Sequence, residues 1–336
     1  MIVAFSTLRK SLAKTSRCVL LQAGLLVALL LFSASAWPLG EKPEPSPLKA
    51  RPRDGLRSSL LDQRITAVES SRWSARRLYG ATPHSLLVSD DGGQSWVALP
   101  VGPTEEETFS LAVHPKDPEV VLLGRRDGLW RTRDGGRSWA PLSAPTTAPI
   151  VPLAIAVSEA EPDTIYLGTS RDGVFTSRDG GRQWTPASEG LPQARTGTRP
   201  EEIRSLVVHP AHPDTAFVAH ERHGIYRTAD GGASWRPFNR GLPFPLSRSA
   251  YPPRLAFHPD DVARLYLVFG QPIHSHLVKN RLYVTSDDSE WLPVEVALPP
   301  NTPVAALTVD RDARALNLWA EEVWEVPLPG KPGQRP

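Results

Sequence analysis

Short apolar runs separated by polar turns recur along the chain from about residue 65 onwards. One representative stretch has apolar runs at 205–208, 216–218 and 225–226, with proline, glycine or aspartate between them. Runs of this length with such boundaries are typical of β-strands. A fourth run, 139–141 in an earlier unit, contains proline, which sheets tolerate mainly in edge strands. The pattern therefore predicts a repeated unit of four strands whose last strand is an edge.

An eight-residue motif, which we call an octad, stands before the fourth strand of each unit. Its pattern is Ser/Thr-x-Asp-Gly-Gly-x-x-Trp, and it occurs four times at regular intervals. Its defining residues are Ser89, Asp91, Gly93 and Trp96; Thr132, Asp134, Gly136 and Trp139; Ser177, Asp179, Gly181 and Trp184; and Thr228, Asp230, Gly232 and Trp235. A fifth, shorter copy contains Asp287 and Trp291. Repetition at this spacing indicates a stacked or radial repeat architecture.

The composition of the octads indicates a structural turn. Glycines supply positive φ angles in tight hairpins, and Asp and Ser/Thr side chains form hydrogen bonds within their own turn. The tryptophan has enough area to fill a seam between packed elements. We therefore predict that each octad closes the hairpin between the third and fourth strands, and that its aspartate is neither catalytic nor a metal ligand.

The number of units sets the architecture. Five full units begin near residues 65, 109, 152, 203 and 253, and a sixth, at 304–328, has three strands but no fourth. Units of four strands, most apolar first, are typical of β-propeller blades. An open strand edge in the sixth unit needs a partner. We predict an all-β fold with a single six-bladed propeller, closed by an N-terminal strand from within residues 37–63. Seven blades is the alternative.

The N-terminal 36 residues predict an export signal. Four basic residues come first, an apolar run at 19–32 follows, and small residues end the segment. This order is typical of a secretory signal peptide, and the run is short for a membrane span. We predict cleavage after Ala36 and a secreted or periplasmic protein, with an uncleaved anchor as the alternative. The predicted organisation is 1–36 signal peptide, 37–64 proline- and charge-rich linker with the closing strand, 65–329 propeller and 330–336 disordered tail.

Composition agrees with this organisation. The 35 prolines among 336 residues are roughly twice the usual ~5% share and argue against a helical protein. The single cysteine, Cys18, lies in the predicted signal, so the mature chain has no thiol chemistry. Removing residues 1–36 takes the formal charge from +2 to −2, because the segment holds four basic residues and no acid. Binding to nucleic acid is therefore not expected.

The octads match the Asp-box of bacterial neuraminidase-type (BNR) repeats. The longer unit resembles three propeller groups over about residues 65–300: the photosystem II stability and assembly factor family, the sortilin luminal domain and the xyloglucanases. These groups include both hydrolases and binding proteins, so the resemblance implies the fold and leaves the function open. The chain lacks the Phe/Tyr-Arg-Ile-Pro motif of sialidases, the second propeller of xyloglucanases and the ten-cysteine module of sortilin. The assembly factors remain nearest in size and secretion.

Blade topology separates two faces. If the strands of a blade are a to d from the inside, the a–b turns and c–d turns share one face, the octad face. The b–c turns and the d–a crossovers share the opposite one, the loop face. The long crossovers at 193–202 and 240–254 and a long b–c loop at 271–280 all extend the loop face. Functional residues concentrate on loops held by a rigid scaffold, so we predict the binding site there.

The predicted loop face is rich in basic residues. Its candidate binding residues are Arg125, Arg126, Arg171, His220, Arg222, His223, Arg248, Arg254, His274, His276 and Lys279. Arginine side chains fit carboxylates, so we predict a binding or assembly scaffold that docks a protein segment or another acidic ligand. A polysaccharide is the second candidate partner, and an ordinary solvated rim is the alternative for these residues. Membrane association is expected only if the N-terminal segment is uncleaved.

Catalysis and metal binding are less favoured. Asp127 and Asp172 occupy equivalent Arg-Asp-Gly turns and are the candidate catalytic pair of the alternative function, a glycoside hydrolase, although the same residues make good turns. His220-x-x-His223 and His274-x-His276 have the spacing of metal ligands. Two histidines without a cysteine or a fixed carboxylate do not define a site, so we predict no metal and no cofactor.

Overall fold

The described part of the chain is built of β-strands. A computed structural model describes residues 48–49, 51–52, 66–70, 76–101, 106–146, 149–193, 201–220, 222–243, 252–258, 260–274, 277–286, 290–302, 304, 306–310, 315–319 and 323–328. They belong to one compact unit, Pro47–Pro336, and contain 26 strands and no helix. Accordingly, no helix in these ranges is long and apolar enough to cross a membrane. The predicted signal peptide and C-terminal tail lie outside the described residues.

Most of the strands form six four-stranded antiparallel sheets, the blades. The chain enters with β1 (Leu48–Lys49) and β2 (Arg51–Pro52). Blade 1 contains β3 (Ala67–Ser70), β4 (Leu78–Ala81), β5 (Ser85–Ser89) and β6 (Val97–Pro100). Blade 2 contains β7 (Thr108–Val113), β8 (Val121–Arg125), β9 (Gly128–Thr132) and β10 (Ala140–Pro141). Blade 3 contains β11 (Pro152–Val157), β12 (Ile165–Thr169), β13 (Val174–Ser177) and β14 (Thr185–Pro186).

The remaining blades follow in the same order. Blade 4 contains β15 (Leu206–His209), β16 (His212–His220), β17 (Gly224–Thr228) and β18 (Arg236–Pro237). Blade 5 contains β19 (Arg254–Phe257), β20 (Leu265–His274), β21 (Leu277–Ser286) and β22 (Glu290–Val294), and β23 (Val296–Ala297) comes after it. Blade 6 contains β24 (Ala306–Asp310), β25 (Ala315–Trp319) and β26 (Val323–Pro327), with β2 as its outermost strand.

The N-terminal strand closes the ring. β2 runs antiparallel to β26, with Arg51 opposite Glu325 and Pro52 opposite Trp324. β1, just before it, runs parallel to β23. Without β2 the hydrogen-bonding edge of β26 would be open, and a proline is acceptable in this outermost position. The predicted six blades and the predicted N-terminal closure are both confirmed.

Apolar side chains fill the six seams between successive blades. Each buried cluster draws residues from two neighbouring blades, as between blades 4 and 5, where Phe217 packs with Leu267 and Trp291. The seam between blades 6 and 1 holds Trp319 against Trp96, with ring centroids 6.2 Å apart and planes at 84°. Edge-to-face aromatic pairs of this kind add about 0.5–1.5 kcal/mol to the burial of their apolar area. The last blade is therefore packed against the first.

One predicted loop is a strand extension instead. The segment 271–280 was expected to be a long b–c loop, but β20 and β21 continue through most of it. Gln271 lies opposite Lys279, Pro272 opposite Val278 and His274 opposite Leu277. The expectation of a long loop is wrong, because the backbone groups of most of this insertion continue the hydrogen-bonded ladder of the blade.

Candidate functional site

The octads form the c–d turns, as predicted, and their polar groups are satisfied locally. In the second octad, Thr132 Oγ1 donates to Asp134 Oδ1 at 2.7 Å and accepts from Gly136 N at 2.9 Å. Asp134 also accepts from the backbone N–H of Ser138 at 2.8 Å and from its hydroxyl at 2.5 Å. The first and fourth octads repeat this network. The carboxylate oxygens of an octad aspartate therefore accept hydrogen bonds from groups of its own turn.

These hydrogen bonds also stabilise the charged form of the octad aspartates. The hydroxyl and backbone N–H of Ser234 lower the pKa of Asp230 from 3.8 to about 2. The corresponding bonds from Ser95 and Ser138 lower the pKa of Asp91 and Asp134. In the third octad, a glutamine replaces the serine, and the backbone N–H of Gln183 is the main cause of the lowered pKa of Asp179. A carboxylate held ionised within its own turn is a poor proton donor.

The octad tryptophans link neighbouring blades. The ring N–H groups donate to the segment just after the outermost strand of the preceding blade, from Trp184 to Ser143 O at 3.0 Å, from Trp235 to Ala187 O at 2.7 Å and from Trp291 to Phe238 O at 2.9 Å. Two octad tryptophans differ. The ring N–H of Trp96 donates to Gly93 O of its own turn at 3.0 Å, and the ring nitrogen of Trp139 has no hydrogen-bond partner among the described residues. The octad face is thus built from repeated structural contacts.

The b–c turns on the loop face carry an arginine at the same position in three successive blades. Each turn of blades 2, 3 and 4 ends in a glycine with positive φ, 126° at Gly128, 71° at Gly173 and 82° at Gly224. Two residues before these glycines stand Arg126, Arg171 and Arg222, and all three are exposed. Such φ values favour glycine, and the three arginines are equivalent when counted back from it. The turn of blade 2, between the paired residues Arg125 and Gly128, is one residue shorter than that of blade 4, between His220 and Gly224.

These three arginines differ in their surroundings. Arg126 Nη2 lies 2.6 Å from Glu107 Oε2, and its guanidinium is 5.4 Å from the ring centre of Phe109. Arg171 and Arg222 form no ion pair with any other residue in the described ranges. An anionic ligand would therefore have to compete with Glu107 in blade 2, whereas the guanidinium groups in blades 3 and 4 are available.

Arg125, another predicted contact, is a structural residue. Its side chain is 1% exposed. Its Nη1 donates to Val101 O at 2.7 Å and its Nη2 to Glu106 O at 3.4 Å, which ties the crossover from blade 1 to the end of β8. Trp130 covers the guanidinium, with 5.5 Å to its ring centre. Because a partner cannot reach it, we remove Arg125 from the set of proposed contacts.

The candidate catalytic carboxylates lie in tight turns. Asp127 Oδ1 accepts from Trp130 Nε1 at 3.0 Å and lies 3.6 Å from Arg125 Nε. Asp172 is exposed, and its backbone N–H donates to Thr169 Oγ1 at 2.9 Å. These contacts are those of well-formed turns.

The other predicted residues are spread over blade 5 and its flanks. Arg254 begins the innermost strand of blade 5 and donates from Nη1 to Arg204 O at 3.1 Å. Lys279 lies on β21, half-buried, and His274 ends β20. Arg248, His276 and the octad residue Asp287 lie outside the described residues.

The structure brings three potential ligands together beside the b–c turn of blade 4. His220 ends β16 and is 5% exposed. Its Nε2 lies 2.6 Å from Glu201 Oε2, and His223 Nε2 lies 3.7 Å from the same oxygen. Glu201 comes from the crossover between blades 3 and 4. The sequence gives no sign of this contact, because nineteen positions separate the carboxylate from the first histidine. Burial lowers the pKa of His220, and the charge of Glu201 opposes that shift.

A family model and a curated relative both point to a sortilin-type propeller. Two overlapping stretches, 84–198 and 172–295, match the family model described as Sortilin, neurotensin receptor 3, and together they span more than half of the chain. The vacuolar protein sorting/targeting protein 10 of Aspergillus terreus (strain NIH 2624 / FGSC A1156) is 42% identical over 59 residues, which are 18% of this chain and only 4% of that protein. The resemblance to sortilin-type propellers is therefore confirmed.

Two solved structures of GH74 enzymes support the same fold. An ancestral GH74 enzyme matches with a TM-score of 0.55 and 18% identity, over 76% of this chain and 34% of the enzyme. The GH74 xyloglucanase from Xanthomonas campestris matches with a TM-score of 0.53 and 20% identity, over 78% of this chain and 44% of the enzyme. A structure of YCF48 bound to D1 peptide is matched over 87% of this chain and 98% of that one, at 14% identity with a TM-score of 0.48. This chain spans less than half the length of either GH74 enzyme.

Proposed function

Because the chain belongs to the sortilin, neurotensin receptor 3 family, we propose that it is a non-catalytic binding scaffold whose loop face docks an acidic segment of another protein. The observation that carries this proposal is the exposed arginine two residues before the turn glycine in blades 2, 3 and 4. Guanidinium groups bind carboxylates through paired, charge-assisted hydrogen bonds. Three of them on successive blades suit an extended chain with acidic side chains at intervals.

The contrast between the two faces supports this assignment. Exposed arginines also occur on the octad face, where Arg137 and Arg182 donate to the backbone carbonyls of octad aspartates, Asp134 and Asp179. On the loop face, Arg171 and Arg222 have no ion pair within the described chain. Binding a carboxylate there breaks no internal contact. We therefore expect most of the binding energy to come from blades 3 and 4.

The same proposal puts the protein outside the cytoplasm, with the mature chain starting after Ala36. The basic, apolar and small-residue order of residues 1–36 supports this, as does the match to a sortilin family model. N-terminal sequencing of the protein purified from its native envelope tests it. An intact N-terminus on the envelope-associated protein would contradict cleavage.

The docking surface is tested by a charge-reversal pair of triple variants of the full chain. The loop-face variant carries Arg126→Glu, Arg171→Glu and Arg222→Glu, and the matched octad-face variant carries Arg133→Glu, Arg137→Glu and Arg182→Glu. Each is used as bait in native envelope extract, with mass spectrometry of the captured proteins. We expect a protein that the wild type and the octad-face variant retain and the loop-face variant loses. Equal capture by all three, or loss on the octad-face variant alone, would refute the docking face.

A further inference from the structure

We propose that Glu201, His220 and His223 bind one Zn²⁺ ion on the loop face. The three residues are the one group of three potential ligands that the described residues bring together, with their ligand atoms all within 4.8 Å of one another. This site is a binding capacity of the chain in addition to the docking of a protein segment, and it stands on separate residues and contacts.

The spacing of the ligand atoms suits a small cation. Ligands of tetrahedral zinc, about 2.0–2.1 Å from the metal, lie roughly 3.3 Å from one another. The observed separations from Glu201 Oε2 are 2.6 Å to His220 Nε2 and 3.7 Å to His223 Nε2. The distance from Glu201 to His220 must therefore lengthen and the distance from Glu201 to His223 must shorten, each by less than about 1 Å. The two rings face the carboxylate from different directions, with centroids 4.9 Å apart and planes at 61°.

The contact between His220 and Glu201 is not a satisfied hydrogen bond. Although the two atoms are close, His220 Nε2 is buried and has no hydrogen-bond partner within the described chain. The carboxylate oxygen therefore lies to one side of the axis along which Nε2 donates or coordinates. A metal on that axis has room for the same oxygen as a neighbouring ligand. A buried ring nitrogen left unsatisfied is destabilising, and coordination would relieve that cost.

Coordination through Nε2 sets the tautomer of His220. Its Nδ1 accepts from the backbone N–H of Arg222 at 3.3 Å, which is a long bond. A metal on Nε2 requires the ring proton on Nδ1, so this bond must be given up when zinc binds. The exchange replaces one weak hydrogen bond with a metal–nitrogen bond. It also predicts that zinc binding changes the b–c turn of blade 4 at Arg222.

The two segments that supply the ligands are anchored. Ile203, two residues after Glu201, is buried, and its backbone N–H donates to Thr169 O at 3.0 Å. The backbone N–H of Glu201 donates to Pro192 O at 3.2 Å. His220 pairs with Gly224 across the hairpin of blade 4. Anchored ligands lose little conformational entropy on binding, so the site does not have to fold around its ion.

The donor set favours zinc over the common hard cations. Two imidazoles and one carboxylate match the three-ligand, open zinc sites, in which a fourth position remains for water or another ligand. Calcium and magnesium prefer oxygen-only ligands. The neighbouring carboxylate of Glu202 is paired with Arg204 at 2.7 Å, so a single carboxylate serves the metal. The exposed guanidinium of Arg222 weakens the site by charge repulsion.

Isothermal titration of the full chain with zinc chloride tests the site. We expect one ion per chain, and at least about tenfold weaker binding for Glu201→Gln and for His223→Gln. His84→Gln, which removes an exposed histidine in the equivalent turn of blade 1, is the matched control and should bind as the wild type does. No zinc binding by the wild type, or equal binding by all four proteins, would overturn the proposal.

Two further measurements keep the test decisive. His223 is half-exposed, with 42% of its side chain accessible, so His223→Gln should fold, and its melting temperature without zinc checks this. Zinc should raise the melting temperature of the wild type and of His84→Gln but not that of His223→Gln. Cobalt chloride substituted for zinc should give the intense visible absorption of a four- or five-coordinate centre. A weak octahedral spectrum would contradict a four- or five-coordinate site at these residues.

Discussion

The two faces of the propeller use polar side chains in opposite ways. On the octad face, a serine or threonine forms hydrogen bonds with the aspartate two residues later and with the backbone of the turn, as Thr132 does with Asp134 and Gly136. On the loop face, a b–c turn relies on contacts with a distant crossover, as Arg125 does with Val101. Repeated local contacts stabilise the octad face, whereas the polar contacts of the loop face differ from blade to blade.

The same comparison applies within the loop face. Arg125 in blade 2 and His220 in blade 4 both end the second strand of a blade and both reach back to the incoming crossover. Arg125 donates from its two Nη atoms to backbone carbonyls. His220 meets the carboxylate of Glu201 beside a second histidine. The Arg125 side chain is therefore used in structural hydrogen bonds, whereas His220 lies among potential metal ligands.

Loss of Arg125 should have the largest effect on stability. Arg125→Met keeps much of the side-chain volume but leaves the carbonyls of Val101 and Glu106 without their donor. We expect a loss of roughly 3 kcal/mol in the free energy of unfolding, from the hydrogen bonds of a buried charge and the carbonyls left unsatisfied. Urea denaturation measures it. Arg126→Met, at the exposed neighbour, should change stability by less than about 0.5 kcal/mol. Equal effects would remove the distinction between the two arginines.

A disrupted octad should have the next largest effect. Thr132→Val keeps the shape of the side chain but removes the donor to Asp134 and the acceptor of the Gly136 N–H, both in a buried position. We expect a loss of about 2 kcal/mol. Thr185→Val, on the exposed outermost strand of blade 3, is the matched control, and we expect little change there. A small effect of Thr132→Val would show that the octads are not self-supporting.

The octad tryptophans offer a smaller, internally controlled comparison. Trp235→Phe removes the hydrogen bond to Ala187 O at 2.7 Å. Trp139→Phe removes a ring nitrogen that has no partner within the described chain. Both variants lose aromatic area, so the difference between them reports the inter-blade bond, and we expect it to be about 1 kcal/mol. Calorimetric or urea unfolding of the two variants measures this. No difference, or a larger loss for Trp139→Phe, would contradict an inter-blade role for the ring N–H.

The pH dependence of stability should show the smallest effect, because the octad aspartates are exposed. Their pKa values are lower in the folded chain than the ordinary 3.8, and that of Asp230 is about 2. The stability they contribute is therefore present above about pH 4 and lost as the pH falls through the lowered folded pKa values. Melting temperatures of the wild type should decline over this range, and those of Asp230→Asn should decline less. Parallel curves for the two proteins would contradict this origin.

The fold could be predicted from the sequence because its signals are local and repeated. The positions of Gly93 and Trp96 recur in each octad, and three apolar runs precede every octad, so the blades can be counted. The missing fourth strand of blade 6 pointed to the N-terminal segment, which supplies Arg51 and Pro52. Each of these inferences depends on strand chemistry within a few residues.

The candidate site could be predicted only in part. The turn arginines Arg171 and Arg222 are exposed as expected. Each stands in a turn, two residues before a glycine with positive φ, where its side chain extends into solvent. Arg125 looks the same in sequence but is buried, and its guanidinium donates to the carbonyls of Val101 and Glu106. Glu201 joins His220 by a contact between a crossover and a strand end, which no spacing rule shows. Long-range contacts decide which polar residues of a turn remain available.

Amide hydrogen exchange of the full chain, with and without the protein captured on it, tests the division between the two faces most directly. The loop-face turns at 169–173 and 220–224 should exchange more slowly in the complex. The octads at 132–139 and 228–235 should exchange at the same rate in both states. Slower exchange in the octads with unchanged loop-face turns would contradict the assignment of binding to the loop face.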